Sequence, residues 1–130
     1  MSLLENLKDV LLIAFGAVLG ANIRFIIYKK LEKINFSKNF SILLINSLAS
    51  FFLGLFVSIL SHISSLHYSY QLGLFFAVGL LGSLSTFSTF IYDLYELFRQ
   101  FKLYRAFKLL IISLISGILF FALGFLLGLE

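Results

Sequence analysis

The sequence contains no cysteine, no proline and no tryptophan, and only 12% of its 130 residues are charged. Without cysteine, disulfide frameworks and thiolate metal sites are excluded. Without proline, a break in any helix has to arise from Gly, Ser or Thr. The low charge provides too little polar surface for a soluble domain of this length, so we expect a protein whose solvent is lipid.

Hydrophobic residues make up 61% of the chain and gather in four runs. Each run has about 20 residues, enough for a helix to cross about 30 Å of hydrocarbon. The sequence therefore predicts an all-α integral membrane protein, a single domain over residues 1–130 with four transmembrane helices. Because four short helices enclose little space, we expect the subunit to oligomerise. The runs are Val10–Tyr28, Phe40–Leu60, Gln71–Tyr92 and Ala106–Leu127.

Eight of the ten Lys and Arg residues lie on or next to the first and third connecting loops, at 29–39 and 93–105. With four spans, these two loops share one side of the membrane, and both termini share the other. Because Lys and Arg in short loops favour the cytoplasm, we expect the loops to be cytoplasmic and the termini outside, in the cell membrane. The net charge of +4 is not taken to indicate nucleic-acid binding, because the cations flank the spans.

The third span is rich in poor helix formers. Seven of the eleven residues from Gly79 to Thr89 are Gly, Ser or Thr. One interpretation is an interrupted helix, which is tolerated in a membrane only where the backbone is buried in protein or lines a cavity. The other is a packing face whose hydroxyls bond to preceding carbonyls.

Two phenylalanines stand inside this polar segment, Phe87 and Phe90. The edges of aromatic rings carry partial positive charge, so they could hold a small dehydrated anion. The hydroxyls of Ser88 and Thr89 and the amide of Asn46 in the second span would help. Asn46 has an alternative role as a polar contact between helices. No carboxylate lies deep within the four spans, which favours an anion path over a proton path.

Further polar and small residues lie in the first and fourth spans. Arg24 either extends to the membrane surface or attracts anions from a watery vestibule. Gly16 and Gly20 form a G-x-x-x-G pair, which permits close helix approach. In the fourth span, Ser113 would extend the polar path.

Three segments carry a resemblance to a known family: GAVLGANIRF at 16–25, INSLASFFLG at 45–54 and GLLGSLSTFSTF at 79–90. Over essentially its whole length the chain resembles the Fluc/CrcB fluoride channels. The resemblance implies a passive channel, not an enzyme, that lets fluoride leave the cytoplasm and so reduces fluoride toxicity. It also implies an antiparallel, dual-topology dimer with two fluoride pores.

The resemblance also implies roles for individual residues. Phe87 and Phe90 match the phenylalanines along the fluoride path, together with the neighbouring hydroxyls. Asn46 matches the pore asparagine, Ser113 a hydroxyl of the polar track and Arg24 the vestibule arginine.

A structural sodium ion is the cofactor that the resemblance implies, held at the dimer interface by the backbone carbonyls of Gly82 and Ser83. One departure concerns Ile42, which stands one turn before Asn46 where a hydroxyl residue is expected. A chain that inserts in both orientations should also carry similar numbers of Lys and Arg on its two sides, and this chain has a strong bias to one side. We therefore expect a partner subunit, a homologue with the opposite Lys/Arg bias. A homodimer is the alternative.

Two other functions fit four short membrane helices. Small multidrug exporters have the same size, and they share a Glu in the membrane-embedded part of the first helix. This chain has no Glu there. A non-conducting membrane assembly subunit is the third possibility. Fluoride flux into or out of liposomes distinguishes the three.

Overall fold

Every regular element in the described part of the chain is helical. The computed structural model describes residues 2–35, 37–63, 65, 68–85 and 87–129, with the backbone alone described at positions 38 and 87–89. The segment Ser69–Leu84 is continuous and is here called the third span. The elements in order are α1 (Leu3–Lys33), α2 (Lys38–His62), α3 (Ser69–Leu72), a π-helix (Gly73–Leu81), α4 (Gly82–Leu84), α5 (Phe87–Arg99) and α6 (Leu103–Leu129).

The expected all-α membrane architecture is confirmed. Among the described residues, α1, α2 and α6 are long and apolar enough to cross a bilayer, and the third span is a shorter apolar helix. Only 6% of the most hydrophobic stretch of α6 is buried, and 11% of that of α1, against 33% for α2. Apolar side chains that a soluble protein would bury therefore face outward, which suits a multi-pass protein surrounded by lipid.

The helices extend further than the apolar runs. Helix α1 begins at Leu3, where Ser2 and Glu5 form a capping box, and it continues to Lys33. Helix α5 continues to Arg99, so most of the segment 93–105, expected as a loop, is helical. The physical reason is that Lys, Arg, Glu and Leu are good helix formers, and such residues dominate these ends.

The third span ends at Leu84, so the predicted run Gln71–Tyr92 is not one continuous helix. At Ser85 the backbone turns to an extended conformation, with φ −74° and ψ 146°. Before the three residues of α4, Gly73–Leu81 forms a π-helix, whose wider turns bring the N–H of Gly82 to the carbonyl of Ala77, five residues earlier. The hydroxyl of Ser83 donates to the carbonyl of Leu80 at 3.1 Å. The sequence left two interpretations of this stretch, an interrupted helix and hydroxyls bonded to preceding carbonyls. The structure contains both features.

The first of two helix pairs joins α1 to the third span through glycines. A Cβ at Gly16 would overlap the carbonyl oxygen of Phe75, and one at Gly20 would overlap that of Leu80. The close approach expected of this G-x-x-x-G pair is confirmed. Since the contacts advance in the same direction along both helices, the two helices run parallel.

The second pair joins α2 to α6 in the same manner. A Cβ at Gly54 would overlap the carbonyl oxygen of Phe121, and one at Gly124 would overlap that of Phe51. These two helices also run parallel. The pairs meet at a small buried cluster formed by Ile45, Ala49, Leu81 and Leu84.

We predict opposite outcomes for two identical substitutions in α6. Gly124→Ala places a methyl group against the backbone of Phe51 and should cost about 1–3 kcal/mol of unfolding free energy. Gly117→Ala meets only the hydroxyl of Ser50, at 3.6 Å, and should gain up to about 1 kcal/mol from helix propensity. Unfolding in detergent micelles, followed by circular dichroism, measures both. Equal stability of the two variants would contradict the tight α2–α6 contact.

Candidate functional site

The break in the third span exposes polar backbone on an open face. Gly82 is exposed, and a Cβ there would have only the carbonyl oxygen of Ala77 nearby, at 3.7 Å. Beside it lies a shallow groove of about 130 Å³, here called the Ser85 groove. Its polar members are Ser50, Gly82 and Ser85, and its apolar members are Ala49, Leu53, Ala77 and Leu81.

The carbonyl groups of α4 lose their helical partners at this break. A continuous helix would satisfy each carbonyl from the next turn, and the last carbonyls of any helix lack that partner. Here the Ser85 hydroxyl donates to the carbonyl of Gly82 at 3.3 Å. The Ser85 N–H donates to the carbonyl of Leu81 at 3.2 Å. The carbonyl oxygens of Leu81 and Gly82 and the hydroxyl of Ser85 thus lie together near the end of α4, and oxygen atoms are the ligands that hard cations prefer.

A direct polar contact joins α2 and α6. The hydroxyls of Ser47 and Ser116 lie 2.6 Å apart, and Ser47 is 4% exposed. Asn46, the adjacent residue on α2, is half-buried and engaged in an interaction of its own. Ser113 is half-buried one turn before Ser116 and makes no hydrogen bond within the described residues. The two predicted polar residues, Asn46 and Ser113, therefore belong to helices that pack on each other.

Four residues of the predicted anion path open helix α5. Phe90 is half-buried in the first turns of that helix. Phe87, Ser88 and Thr89 lie on the same helix, and their side chains fall outside the described residues.

Arg24 lies on the same face of α1 as Gly16 and Gly20, one turn further on. Gly20 contacts Leu80 and the hydroxyl of Ser83 on the third span. Because the two helices run parallel, Arg24 comes level with the segment after Ser83, where the helix breaks. The arginine is half-buried and forms no ion pair with another described residue.

Two polar residues were missed by sequence reasoning. Ser116 provides the contact to α2, whereas the sequence analysis names only Ser113 on this helix. The three-residue spacing of the two serines puts both on one side of α6, and this spacing could have identified Ser116. The sequence predicts that Asp93 lies in the loop after the third predicted run. It is 9% exposed and lies in the middle of α5, because that helix continues to Arg99.

These features define a class of protein: a small multi-pass membrane protein with a helix break after its third span, on an open face of the bundle. Residues 11–125 match the family described as CrcB-like protein, Camphor Resistance (CrcB), and the chain belongs to this family. The family expected from the sequence is thus confirmed.

A curated relative matches nearly the full chain. It is the Fluoride-specific ion channel FluC 2 of Prochlorococcus marinus (strain NATL2A), 53% identical over 124 residues. The match covers 95% of this chain and 100% of that relative.

The contact between Ser47 and Ser116 generates a prediction on stability. Each single substitution to Ala should destabilise the fold, because it leaves one buried hydroxyl without its partner. The double variant should recover part of the loss, with a coupling of about 0.6 kcal/mol, typical of hydrogen bonds between membrane helices. Unfolding free energies of the four proteins in one detergent give this coupling. Strictly additive losses would show that the two hydroxyls do not interact.

Proposed function

We propose that this chain is one subunit of a fluoride-selective channel that lets fluoride leave the cytoplasm passively. The observation that carries the proposal is the full-length match to a relative named as a fluoride-specific ion channel, within a family that covers residues 11–125. The helix broken at Ser85 supports it, since interrupted membrane helices supply ion sites from their freed backbone groups. The chain is a channel component rather than an enzyme.

Fluoride passes along Phe87 and Phe90, held by the positive edges of their rings. Hydroxyls of Ser88 and Thr89 donate hydrogen bonds that replace water around the ion. The half-buried position of Phe90, in the first turns of the helix that follows the break, supports this role.

Asn46 and Ser113 continue the path between α2 and α6. The neighbouring bond between Ser47 and Ser116 sets the register of these two helices, and it supports a fixed position for the polar residues beside it. Both Asn46 and Ser113 are half-buried in the isolated subunit. The side chain of Ser113 makes no hydrogen bond within the described residues, which supports a hydroxyl that donates to an anion.

Arg24 attracts anions to a vestibule at one end of this path. Arg24 lies level with the break that follows Ser83, and it forms no ion pair with another described residue. Both observations support the assignment. A cation half-buried in a membrane segment is costly unless it faces water or a counter-charge.

Two subunits pack antiparallel to complete the channel. Exposed backbone and hydroxyl groups in the Ser85 groove support an interface there, because lipid cannot satisfy them.

A sodium ion at this interface is held by the carbonyls of Gly82 and Ser83. The oxygen atoms at the end of α4 fit such an ion, and Gly82 presents its backbone without a side chain in the way. The ion supplies positive charge that holds two carbonyl-lined ends together. Because the ligands are backbone atoms, Ser83→Ala should keep the ion. Dimer density without an ion between these carbonyls, in sodium-containing buffer, would contradict the site.

The partner is a homologous subunit with the opposite Lys/Arg bias. Eight of ten cations flank two loops on one side, which supports a single orientation with the termini outside. Ile42 is 3% exposed and apolar, one turn before Asn46, so this subunit leaves that position of its own polar track without a hydroxyl. A partner of the opposite orientation supplies a second track.

The prediction for conduction uses the substitution Phe90→Ile. Isoleucine keeps an apolar side chain but removes the polarised ring edge. Efflux of fluoride from liposomes that hold both subunits should fall about two- to tenfold, since ring-edge contacts are worth about 0.5–1.5 kcal/mol and 1.4 kcal/mol is a factor of ten. Phe87→Ile should behave alike.

The matched control is Phe98→Ile on the same helix. The Phe98 ring is 46% exposed and packs edge-on against Phe107 at the far end of α5. This variant should conduct like the unmodified protein. Efflux that is unchanged in both Phe87→Ile and Phe90→Ile would refute the proposed path.

The orientation is tested with a C-terminal reporter that is active on only one side of the membrane. Expressed alone, the chain should place its C-terminus outside in the large majority of molecules, because of its cation bias. Exchanging the bias, by removing Lys29, Lys30 and Lys33 and adding lysines at the N-terminus, should shift the reporter. An equal split of the unmodified chain, together with fluoride flux from the purified single chain, would refute the paired-subunit proposal.

A further inference from the structure

A second open groove lies away from the break, where α2 and α6 begin and α5 ends. It has a volume of about 290 Å³ and is here called the basic groove. Arg105 and Lys108 of α6 and Asn39 of α2 form its polar part. Its apolar walls include Leu43, Leu97 and Ile112.

The two cations of the basic groove are not neutralised within the subunit. Both are exposed, and within the described ranges neither forms an ion pair or a hydrogen bond. The carboxylates of the adjoining helix α5 are occupied elsewhere. Glu96 pairs with Arg99 at 3.1 Å, and Asp93 is buried and engaged in an interaction of its own. The groove therefore presents a net positive charge to its surroundings.

The polarity of the groove changes with depth. Arg105 lies in the first turn of α6, and Asn39 in the first turn of α2, so both stand at the membrane surface. At about 1.5 Å per residue, Ile112 lies about 10 Å further along α6 and Leu43 about 6 Å further along α2. A ligand that fills the groove is thus anionic at the surface and apolar below it.

We propose that the basic groove binds an anionic phospholipid, with its phosphate between Arg105 and Lys108 and its acyl chain along Leu43 and Ile112. Basic pockets between membrane helices recognise anionic headgroups through the same combination of charge and apolar wall. A free hydrated anion such as fluoride gains nothing from five apolar lining side chains. The groove also contains none of the predicted pore residues, so lipid binding is measurable without conduction.

The experiment uses native mass spectrometry of the purified protein in a neutral detergent. The probes are phosphatidylglycerol and phosphatidylcholine with identical acyl chains, and glycerol 3-phosphate as the soluble anion. Phosphatidylglycerol should bind more tightly than phosphatidylcholine. The double variant Arg105→Gln, Lys108→Gln should weaken phosphatidylglycerol about thirtyfold, and each single variant about fivefold, given the usual contribution of a cation at an anionic membrane surface.

The matched control is the double variant Lys30→Gln, Lys33→Gln. It removes the same charge from exposed positions at the end of α1, outside the basic groove, and should leave phosphatidylglycerol binding within about twofold. Equal binding of the two lipids would overturn the proposal, and so would equal losses in the two double variants. Displacement of phosphatidylglycerol by an equal concentration of glycerol 3-phosphate would also overturn it, since a soluble anion would then be the ligand.

Discussion

Lipid offers no hydrogen bonds, and this constraint shapes the whole subunit. Wherever the main chain leaves the helical path, its polar groups need another partner within protein. At Ser85 the hydroxyls of Ser83 and Ser85 return to carbonyls of the preceding turn, and the remaining polar atoms open onto a groove. A monomer in lipid cannot cover that groove. The break is therefore the place in the described part of the chain where lipid satisfies the polar groups least.

Glycine provides the other half of the architecture. Between lipid-soluble helices there is little hydrophobic driving force, so stability depends on close backbone approach. Gly16 and Gly20 bring α1 onto the third span, and Gly54 and Gly124 bring α2 onto α6. Each pair is tightly fitted, whereas a small buried cluster around Ile45 and Leu81 and the ring contact between Phe56 and Phe76 join one pair to the other. The subunit is thus two firm pairs with a lighter connection between them.

Much of this organisation was predictable from the sequence, because membrane segments reveal themselves by length and hydrophobicity. The three long helices, the family and the close packing of Gly16 and Gly20 followed directly. The π-helix at Gly73–Leu81 did not, since its sequence is an ordinary apolar run. The length of α5 and the burial of Asp93 were also missed, because a charged helix end resembles a loop in composition. Ser116 was overlooked because the rotation of α6 about its axis decides which of its serines contacts α2. The sequence of one chain does not determine that rotation.

The pairing of alternate helices bears on how the protein is made. The partner of α1 is the third span, and the partner of α2 is α6, which is synthesised after every other described helix. When a ribosome has delivered α1 and α2 to the membrane, no glycine-tight pair can yet have formed. Helix α2 must then wait in lipid, with the Ser47 hydroxyl lacking the partner it finds on α6, until Leu103–Leu129 arrives. Assembly is consequently a late event, and interruption of synthesis before α6 leaves the Ser47 hydroxyl of α2 without its partner.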